Sequence, residues 1–191
     1  MTAQASKPVP PTFALFPHAY DKPHNNPATF ITTDSPCSCC RQCRGWLYDG
    51  VFFGPDACDG WRICPWCIAD GNADRAGISF NQIDPNDRSQ TLDEEIAHVE
   101  RRTPAFFTWQ DLYWPTCCQR ACVFFGTFSG ASIRGEVEQA IRRQLDRDCD
   151  GDADLAAHWM WLLKARDTND PAAYLFKCSA CDGMHARWDV S

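Results

Sequence analysis

The stretch DSPCSCCRQCRGW, residues 34–46, places four cysteines within seven positions. Two intervening residues are what a tight turn needs to direct two sulfurs toward one metal ion. Both Cys37-x2-Cys40 and Cys40-x2-Cys43 have that spacing. Cys40 belongs to both pairs and is therefore the firmest ligand, whereas the choice between Cys37 and Cys43 stays open. Cys39 is adjacent to Cys40, so we expect its side chain to point elsewhere.

Three further pairs of cysteines lie farther along the chain, within CPWC at 64–67, TCCQRAC at 116–122 and CSAC at 178–181. Because zinc is commonly held by four thiolates in a tetrahedron, each pair is half a site. Sequence order joins the first two halves into one site, and elimination joins the last two into a second. The candidate ligands of two zinc ions are Cys37 (or Cys43), Cys40, Cys64, Cys67, Cys118, Cys122, Cys178 and Cys181.

The cysteine count and the sequence near Met1 bear on the redox compartment. The chain has 191 residues and thirteen cysteines, an odd number that does not suit a disulfide framework. The N-terminal sequence lacks the apolar core of a signal peptide, and no apolar run is long enough to span a membrane. We therefore expect a cytoplasmic protein with thiolate metal sites. Iron suits four thiolates as zinc does, and a thioredoxin-like dithiol at CPWC is the redox alternative.

The remaining sequence predicts an α+β fold in a single domain. Asp49-Gly50 between two aromatic runs predicts a hairpin with strands over 45–48 and 51–54. Helical periodicity predicts helices over 91–102, with a capping box at Thr91 and Glu94, over 132–145 and over 154–166. The segment 173–190 is typical of a strand, a cysteine turn and a second strand.

These elements predict how the chain is organised. Residues 1–12 are expected to form a disordered tail, and 13–191 a single domain. Within it, 36–75 should form an N-terminal zinc-ribbon module. Residues 91–191 should supply helices and a C-terminal zinc turn on a β-hairpin packed against them.

Acidic residues are concentrated in two stretches, 84–100 and 146–154, within a chain of formal net charge -7 and pI near 5.1. This balance disfavours direct nucleic-acid binding and favours a basic protein partner. Exposed aromatic residues such as Trp109, Tyr113 or Trp114 are candidate anchors. Residues 146–157 resemble the start of a calcium loop, but Ala157 stands where a bidentate Glu is required, so a solvated turn capping the next helix is favoured.

The sequence resembles the CbrC family of small bacterial proteins. The resemblance extends from about residue 13 to the C-terminus and depends on four segments, CSCCRQCRGWLYDG, ICPWCIADGNA, RRTPAFFTWQDLYWPTCCQRACVFFG and YLFKCSACDGMHARWDV. It implies that Cys37 and Cys40 are the first ligand pair, although Arg41 replaces the expected Gly and Cys43 could substitute for Cys37. It also implies a His beside Cys118, where this chain has Cys117, so the choice between these two cysteines stays open. The family is known chiefly through tolerance to a nuclease colicin.

Catalysis finds little support in the sequence. None of the five histidines has an acid and a nucleophile at suggestive spacing. Zinc held by four thiolates has no open coordination position. We therefore expect a non-catalytic, zinc-stabilised binding protein that neutralises a nuclease toxin, as an immunity protein does. The alternatives are a zinc-scaffolded interaction or regulatory protein with another partner, and a thiol redox enzyme.

Overall fold

A computed structural model of the chain describes residues 8–21, 29–110, 113–165 and 170–190. The fold mixes helices and strands, as predicted. No helix in these ranges is long and apolar enough to cross a membrane. The strands are β1 (Phe30–Thr32), β2 (Trp46–Tyr48), β3 (Thr116–Cys117), β4 (Arg120–Ala121), β5 (Val123–Phe128), β6 (Ala172–Lys177) and β7 (Met184–Asp189). The α-helices are α1 (Pro65–Ala69), α2 (Asn72–Arg75), α3 (Pro85–Arg88), α4 (Asp93–Arg102), α5 (Glu136–Asp148) and α6 (Ala153–Ala165).

An antiparallel sheet of three strands, in the order β5-β6-β7, divides the described residues into two cores. The central strand β6 is apolar at successive positions because both of its faces are covered. Tyr174 and Phe176 pack into a first core, formed mainly by the N-terminal half of the chain. Ala173 and Leu175 pack into a second core with α5 and α6. The sheet therefore lies between the cysteine-rich half and a pair of helices.

The three predicted helices are present, with shifted starting points. Thr91 does not cap α4, because Leu92 occupies the N-cap position, and the Thr91 hydroxyl donates to the carbonyl of Asp87. α5 begins at Glu136 rather than near 132, since Gly135 precedes it with φ 57°. Asp152 caps α6 by accepting hydrogen bonds from the backbone N–H groups of Asp154 and Leu155. The acidic turn thus serves as the helix cap that the sequence favours. The final strand–turn–strand is also confirmed, as β6 and β7.

The predicted hairpin over 45–54 is wrong. β2 pairs with β1 instead, so that the first cysteine loop becomes the loop of a β1–β2 hairpin. After β2 the hydroxyl of Tyr48 donates to the carbonyl of Val51 at 2.7 Å, which turns the chain away from β2. Of the predicted second strand, Phe53 alone forms a bridge, with Ser79. The domain bounds remain predictions, and residues 1–7 of the predicted tail lie outside the described residues.

Candidate metal centres

The N-terminal thiol cluster consists of Cys37, Cys40, Cys64 and Cys67, whose four sulfurs lie within 4.8 Å of one another. The Sγ atoms of Cys37 and Cys67 are 3.9 Å apart, and those of Cys40 and Cys64 are 3.8 Å apart. Four sulfurs at about 2.3 Å from a tetrahedral zinc are about 3.8 Å from one another. The cluster therefore has the dimensions of a zinc site. The structure brings Cys37 into the cluster and leaves Cys43 outside it.

Two short elements position these four thiols. In the first, the N–H of Arg41 donates to the carbonyl of Cys37 at 2.8 Å, and Arg41 takes the left-handed φ of 62° that closes the turn. In the second, Cys64 is the N-cap of α1 and Pro65 occupies its first turn, where a missing N–H costs nothing. The first helical turn brings Cys67 round to the same side as Cys64.

Hydrogen bonds favour one thiolate in this buried cluster. The thiol of Cys64 and several backbone N–H groups point at Cys37, and these hydrogen bonds lower the pKa of Cys37 to about 4. Among them, the N–H of Cys64 lies 3.2 Å from the Cys37 sulfur. Donating its proton to Cys37, together with burial, raises the pKa of Cys64. A cation at the centre would remove this asymmetry by stabilising all four thiolates.

The C-terminal thiol cluster consists of Cys117, Cys118, Cys178 and Cys181. The Cys117 sulfur lies 3.7 Å from that of Cys118 and 3.6 Å from that of Cys181. These separations also match the edges of a zinc–sulfur tetrahedron. Each cluster could hold a metal ion, one near the N-terminal end of the described chain and one near its C-terminal end.

Two adjacent residues share the C-terminal cluster because of the turn between them. β3 and β4 form a hairpin closed by Cys118 and Gln119, which both take left-handed φ values, 54° and 65°. Such turns usually contain Asn and Gly, so the sequence gives no local sign of this one. The left-handed backbone at Cys118 brings its side chain to the side of Cys117. In the turn that supplies Cys178 and Cys181, the backbone N–H of Ala180 donates to the sulfur of Cys178 at 3.4 Å.

The structure does not bring Cys122, one of the predicted ligands, into the cluster. Its side chain is fully buried in the first core. Its carbonyl accepts a hydrogen bond from the indole N–H of Trp114 at 2.7 Å, and burial raises the pKa of its thiol to about 12. Cys122 directly precedes β5, and its side chain points to the core rather than to the hairpin turn. Cys117 takes the place that the sequence assigned to Cys122.

The thiols of the C-terminal cluster are more accessible than those of the N-terminal one. Cys118 and Cys181 are exposed, whereas Cys178 is buried. Burial opposes ionisation of Cys178, but hydrogen bonds from the backbone N–H groups of Ala180 and Cys181 outweigh it, so its pKa falls to about 7. Burial raises the pKa of Cys117.

His185 adds an uncommon feature next to the C-terminal cluster. Its Nε2 atom is buried and has no hydrogen-bond partner among the described residues. A Cβ atom on Gly183 would lie 3.1 Å from the Cys181 sulfur and 3.7 Å from this nitrogen, so both atoms crowd the same glycine. Burial, together with nearby arginines, lowers the pKa of His185, which favours its neutral form.

The cysteines outside both clusters have ordinary surroundings. Cys58 is buried in the first core and Cys149 in the second, as small apolar side chains often are. Cys39 packs against the first core, and burial raises its pKa. Cys43 is exposed.

Residues of both acidic stretches act on the charge of Arg187. This residue is partly buried, which lowers its pKa, while Asp148, Asp87 and Asp84 oppose that shift and Arg147 adds to it. Arg187 also donates to the carbonyl of Tyr113 at 3.3 Å. We name Asp84, Asp87 and Asp148 the acidic surface.

Two of the three predicted aromatic anchors are exposed, Trp109 at 48% and Tyr113 at 40%. Trp114 is fully buried, so the prediction that it is a surface anchor is wrong.

Comparison with known proteins adds a family. The model of a family described as "Uncharacterised protein family (UPF0167)" matches residues 11–190. The chain belongs to this family. It is 32% identical to a UPF0167 protein of Pseudomonas aeruginosa over 157 residues, 81% of this chain and 86% of that protein. UPF0167 proteins of Mycobacterium bovis and Mycobacterium tuberculosis are each 30% identical over 164 residues, 82% of this chain and 83% of theirs. No solved structure matches.

This result corrects the expected family. The cysteine segments and the RRTPAFFTWQ segment suggested the CbrC family, but the matching family model and the curated relatives are those of UPF0167. What the CbrC resemblance implied about colicin tolerance therefore no longer supports a function. The thiol clusters do not depend on that resemblance, since the structure brings their sulfurs together.

Proposed function

We propose that this UPF0167 protein is a zinc protein that binds a basic protein partner and catalyses no reaction. The observation that carries the proposal is the spacing of four sulfurs in each cluster, between 3.6 and 3.9 Å for the closest pairs. A zinc ion held by four thiolates has no open position for water or substrate, and it contributes directly to folding. The two ions would therefore hold the fold together.

Metal analysis of the purified, reduced protein tests the zinc part. We expect two equivalents of zinc in the unmodified chain, one in Cys117→Ser, and two in the matched control Cys122→Ser. Iron in place of zinc would change the metal assignment, because four thiolates accept either ion. Loss of an ion in Cys122→Ser, with two retained in Cys117→Ser, would contradict the ligand set.

The acidic surface supports the partner part of the proposal. Asp84, Asp87 and Asp148 outnumber the two arginines near them, Arg187 and Arg147, beside the segment that exposes Tyr113. Opposite charge accelerates association and orients the partner, while aromatic side chains supply much of the binding energy. A nuclease toxin is one partner of this kind. The only support for it is that the acidic surface is complementary in charge to the basic nucleic-acid-binding surface of a nuclease. A cytoplasmic location belongs to the same proposal, since a reducing compartment preserves thiolate ligands.

Association kinetics test the partner part once a basic protein encoded beside the gene has been co-purified. Asp84→Asn with Asp87→Asn removes two charges, and Asn still caps α3 at position 84. We expect the association rate at low salt to fall at least tenfold. The matched control, Asp56→Asn with Asp59→Asn, removes two exposed charges elsewhere and should leave the rate unchanged. For a nuclease partner, co-expression should also protect the cell, and absence of protection would exclude the toxin.

A further inference from the structure

A cavity of about 480 Å³ lies between the loop after β2 and the segments 80–82 and 105–110. This volume is within the range of about 300–1,000 Å³ that is usual for ligand sites. None of the eight cluster cysteines lines it. We name it the aromatic cavity, because its walls include Tyr48, Phe80, Phe106, Phe107, Trp109 and Tyr113.

One rim of the aromatic cavity is held in place by a buried carboxylate. Asp189, at the end of β7, accepts hydrogen bonds from the backbone N–H groups of Trp109 at 2.7 Å and Gln110 at 3.2 Å. Its other oxygen accepts from the hydroxyl of Tyr174 at 2.9 Å. The backbone of this rim is therefore fixed before any ligand arrives, which lowers the entropy cost of binding.

Another part of the wall, which includes Asn81 and Tyr48, is fixed as well. The side-chain amide of Asn81 donates to the carbonyls of Val99 at 3.1 Å and Thr103 at 2.8 Å. The ring of Tyr48 covers Gly50 so closely that a Cβ at that glycine would lie 2.4 Å from the Tyr48 hydroxyl. A glycine at position 50 thus allows the ring to remain in the wall.

The charge of the cavity points to a cation. The lining that the structure describes contains one charged side chain, Asp49. Its carboxylate is 3.9 Å from the guanidinium of Arg62, and both side chains are about half exposed. A pair of this length in solvent contributes little and exchanges readily for another cation. The faces of aromatic rings attract cations too, and Arg most often.

We propose that the aromatic cavity receives the guanidinium group of an arginine side chain on the basic partner, an inference that rests on the proposed function. A planar guanidinium stacks on aromatic rings and pairs with a carboxylate, here Asp49, in ways that a lysine ammonium does not. Tyr113 joins the cavity to the acidic surface, because it lines the former and its carbonyl accepts a hydrogen bond from Arg187. Other positive charges of the same partner then face the acidic surface.

Titration of the full, metal-loaded protein with N-acetyl-arginine amide tests the cavity itself. We expect saturable chemical-shift changes in nuclear magnetic resonance spectra at the indole N–H of Trp109 and the backbone N–H of Gly50. The citrulline analogue has nearly the same shape without the charge, and its affinity should be at least tenfold lower. Equal binding of both compounds, or no saturable change at these two residues, would overturn the proposal.

Paired variants locate the binding groups. Asp49→Asn should weaken binding of the arginine compound about tenfold, whereas Asp59→Asn removes an exposed charge outside the cavity lining and should have no effect. Trp109→Leu should weaken binding similarly, with Trp161→Leu as control, since Trp161 is 63% exposed on α6. Unchanged metal content and thermal unfolding would show that each variant is folded. Equal effects of site and control variants would contradict the assignment.

Different results would disprove the arginine site in the cavity and the proposed binding function. If the basic partner binds Asp49→Asn and Trp109→Leu as tightly as the unmodified protein, the arginine site is wrong although the binding function stands. If no basic partner exists but the arginine compound still saturates the cavity, the function is wrong and the site belongs to another arginine-bearing ligand.

Discussion

Each of the two thiol clusters brings four cysteine sulfurs to nearly the same separations, yet their surroundings differ. In the N-terminal cluster, Cys37, Cys64 and Cys67 are buried within the first core. In the C-terminal cluster, Cys178 also lies in that core, but Cys118 and Cys181 are exposed at two turns. The same arrangement of four thiols therefore occurs in two settings, one mostly inside a hydrophobic core and the other between that core and two surface turns. The spacing of the cysteines along the chain does not distinguish these settings, whereas burial does.

Removing one ligand from each cluster should give the largest difference. Cys67→Ser leaves three thiols and a hydroxyl without a metal inside the first core, and structural zinc contributes on the order of 10 kcal/mol in small domains. We expect this variant to lose its cooperative thermal transition. Cys181→Ser should keep the transition with a Tm lowered by roughly 5–10 °C, as about 2–3 kcal/mol would give in a chain of this size. Differential scanning calorimetry measures both, and equal losses would remove the distinction between the clusters.

Metal release should separate the clusters by rate. Exposed thiols admit a competing chelator directly, whereas the buried cluster must first open locally. With a colorimetric zinc chelator in excess, we expect one equivalent to be released at least tenfold faster than the second. Alkylation during the fast phase, followed by peptide mass spectrometry, should label Cys118 and Cys181 before Cys64 and Cys67. A single phase that releases both ions together would contradict this order.

The smallest effect concerns the turns themselves. Arg41 in one cluster and Gln119 in the other both hold left-handed φ angles, of 62° and 65°, which favour glycine. Arg41→Gly and Gln119→Gly should each raise the free energy of unfolding by about 0.5–1 kcal/mol. Gln42→Gly, at a neighbouring position without such a φ, should lower it. Denaturant unfolding measures these changes. If Arg41→Gly and Gln119→Gly raise the free energy of unfolding by the same amount, the two clusters differ in their surroundings and not in their turns.

Local patterns predicted the parts of the molecule that depend on neighbouring residues. The x2 spacing of Cys37 with Cys40 and of Cys64 with Cys67 needs a single turn each, and helical periodicity identified α4, α5 and α6. The pairing of Cys117 with Cys118 escaped notice because it requires left-handed φ angles at two residues that are not glycine.

Tertiary contacts account for the features that local sequence patterns failed to predict. The hairpin expected at Asp49-Gly50 does not form, because β2 pairs with β1 instead. Trp114 looked like a surface anchor, but its ring packs against Phe106 and Phe176 on one face of the sheet. No property of residues adjacent to Trp114 in the chain reveals that contact.

The turn that carries Cys178 and Cys181 lies just before the start of strand β7, and the carboxylate that holds the cavity rim lies at its end. Within it, Ala186 packs toward α5 and α6, and neighbouring side chains alternate between the two faces of the sheet. Deleting one codon here would swap the faces of every residue after the deletion and detach Asp189 from the backbone of Trp109. Libraries for directed evolution of this protein should therefore vary β7 by substitution and leave its length unchanged.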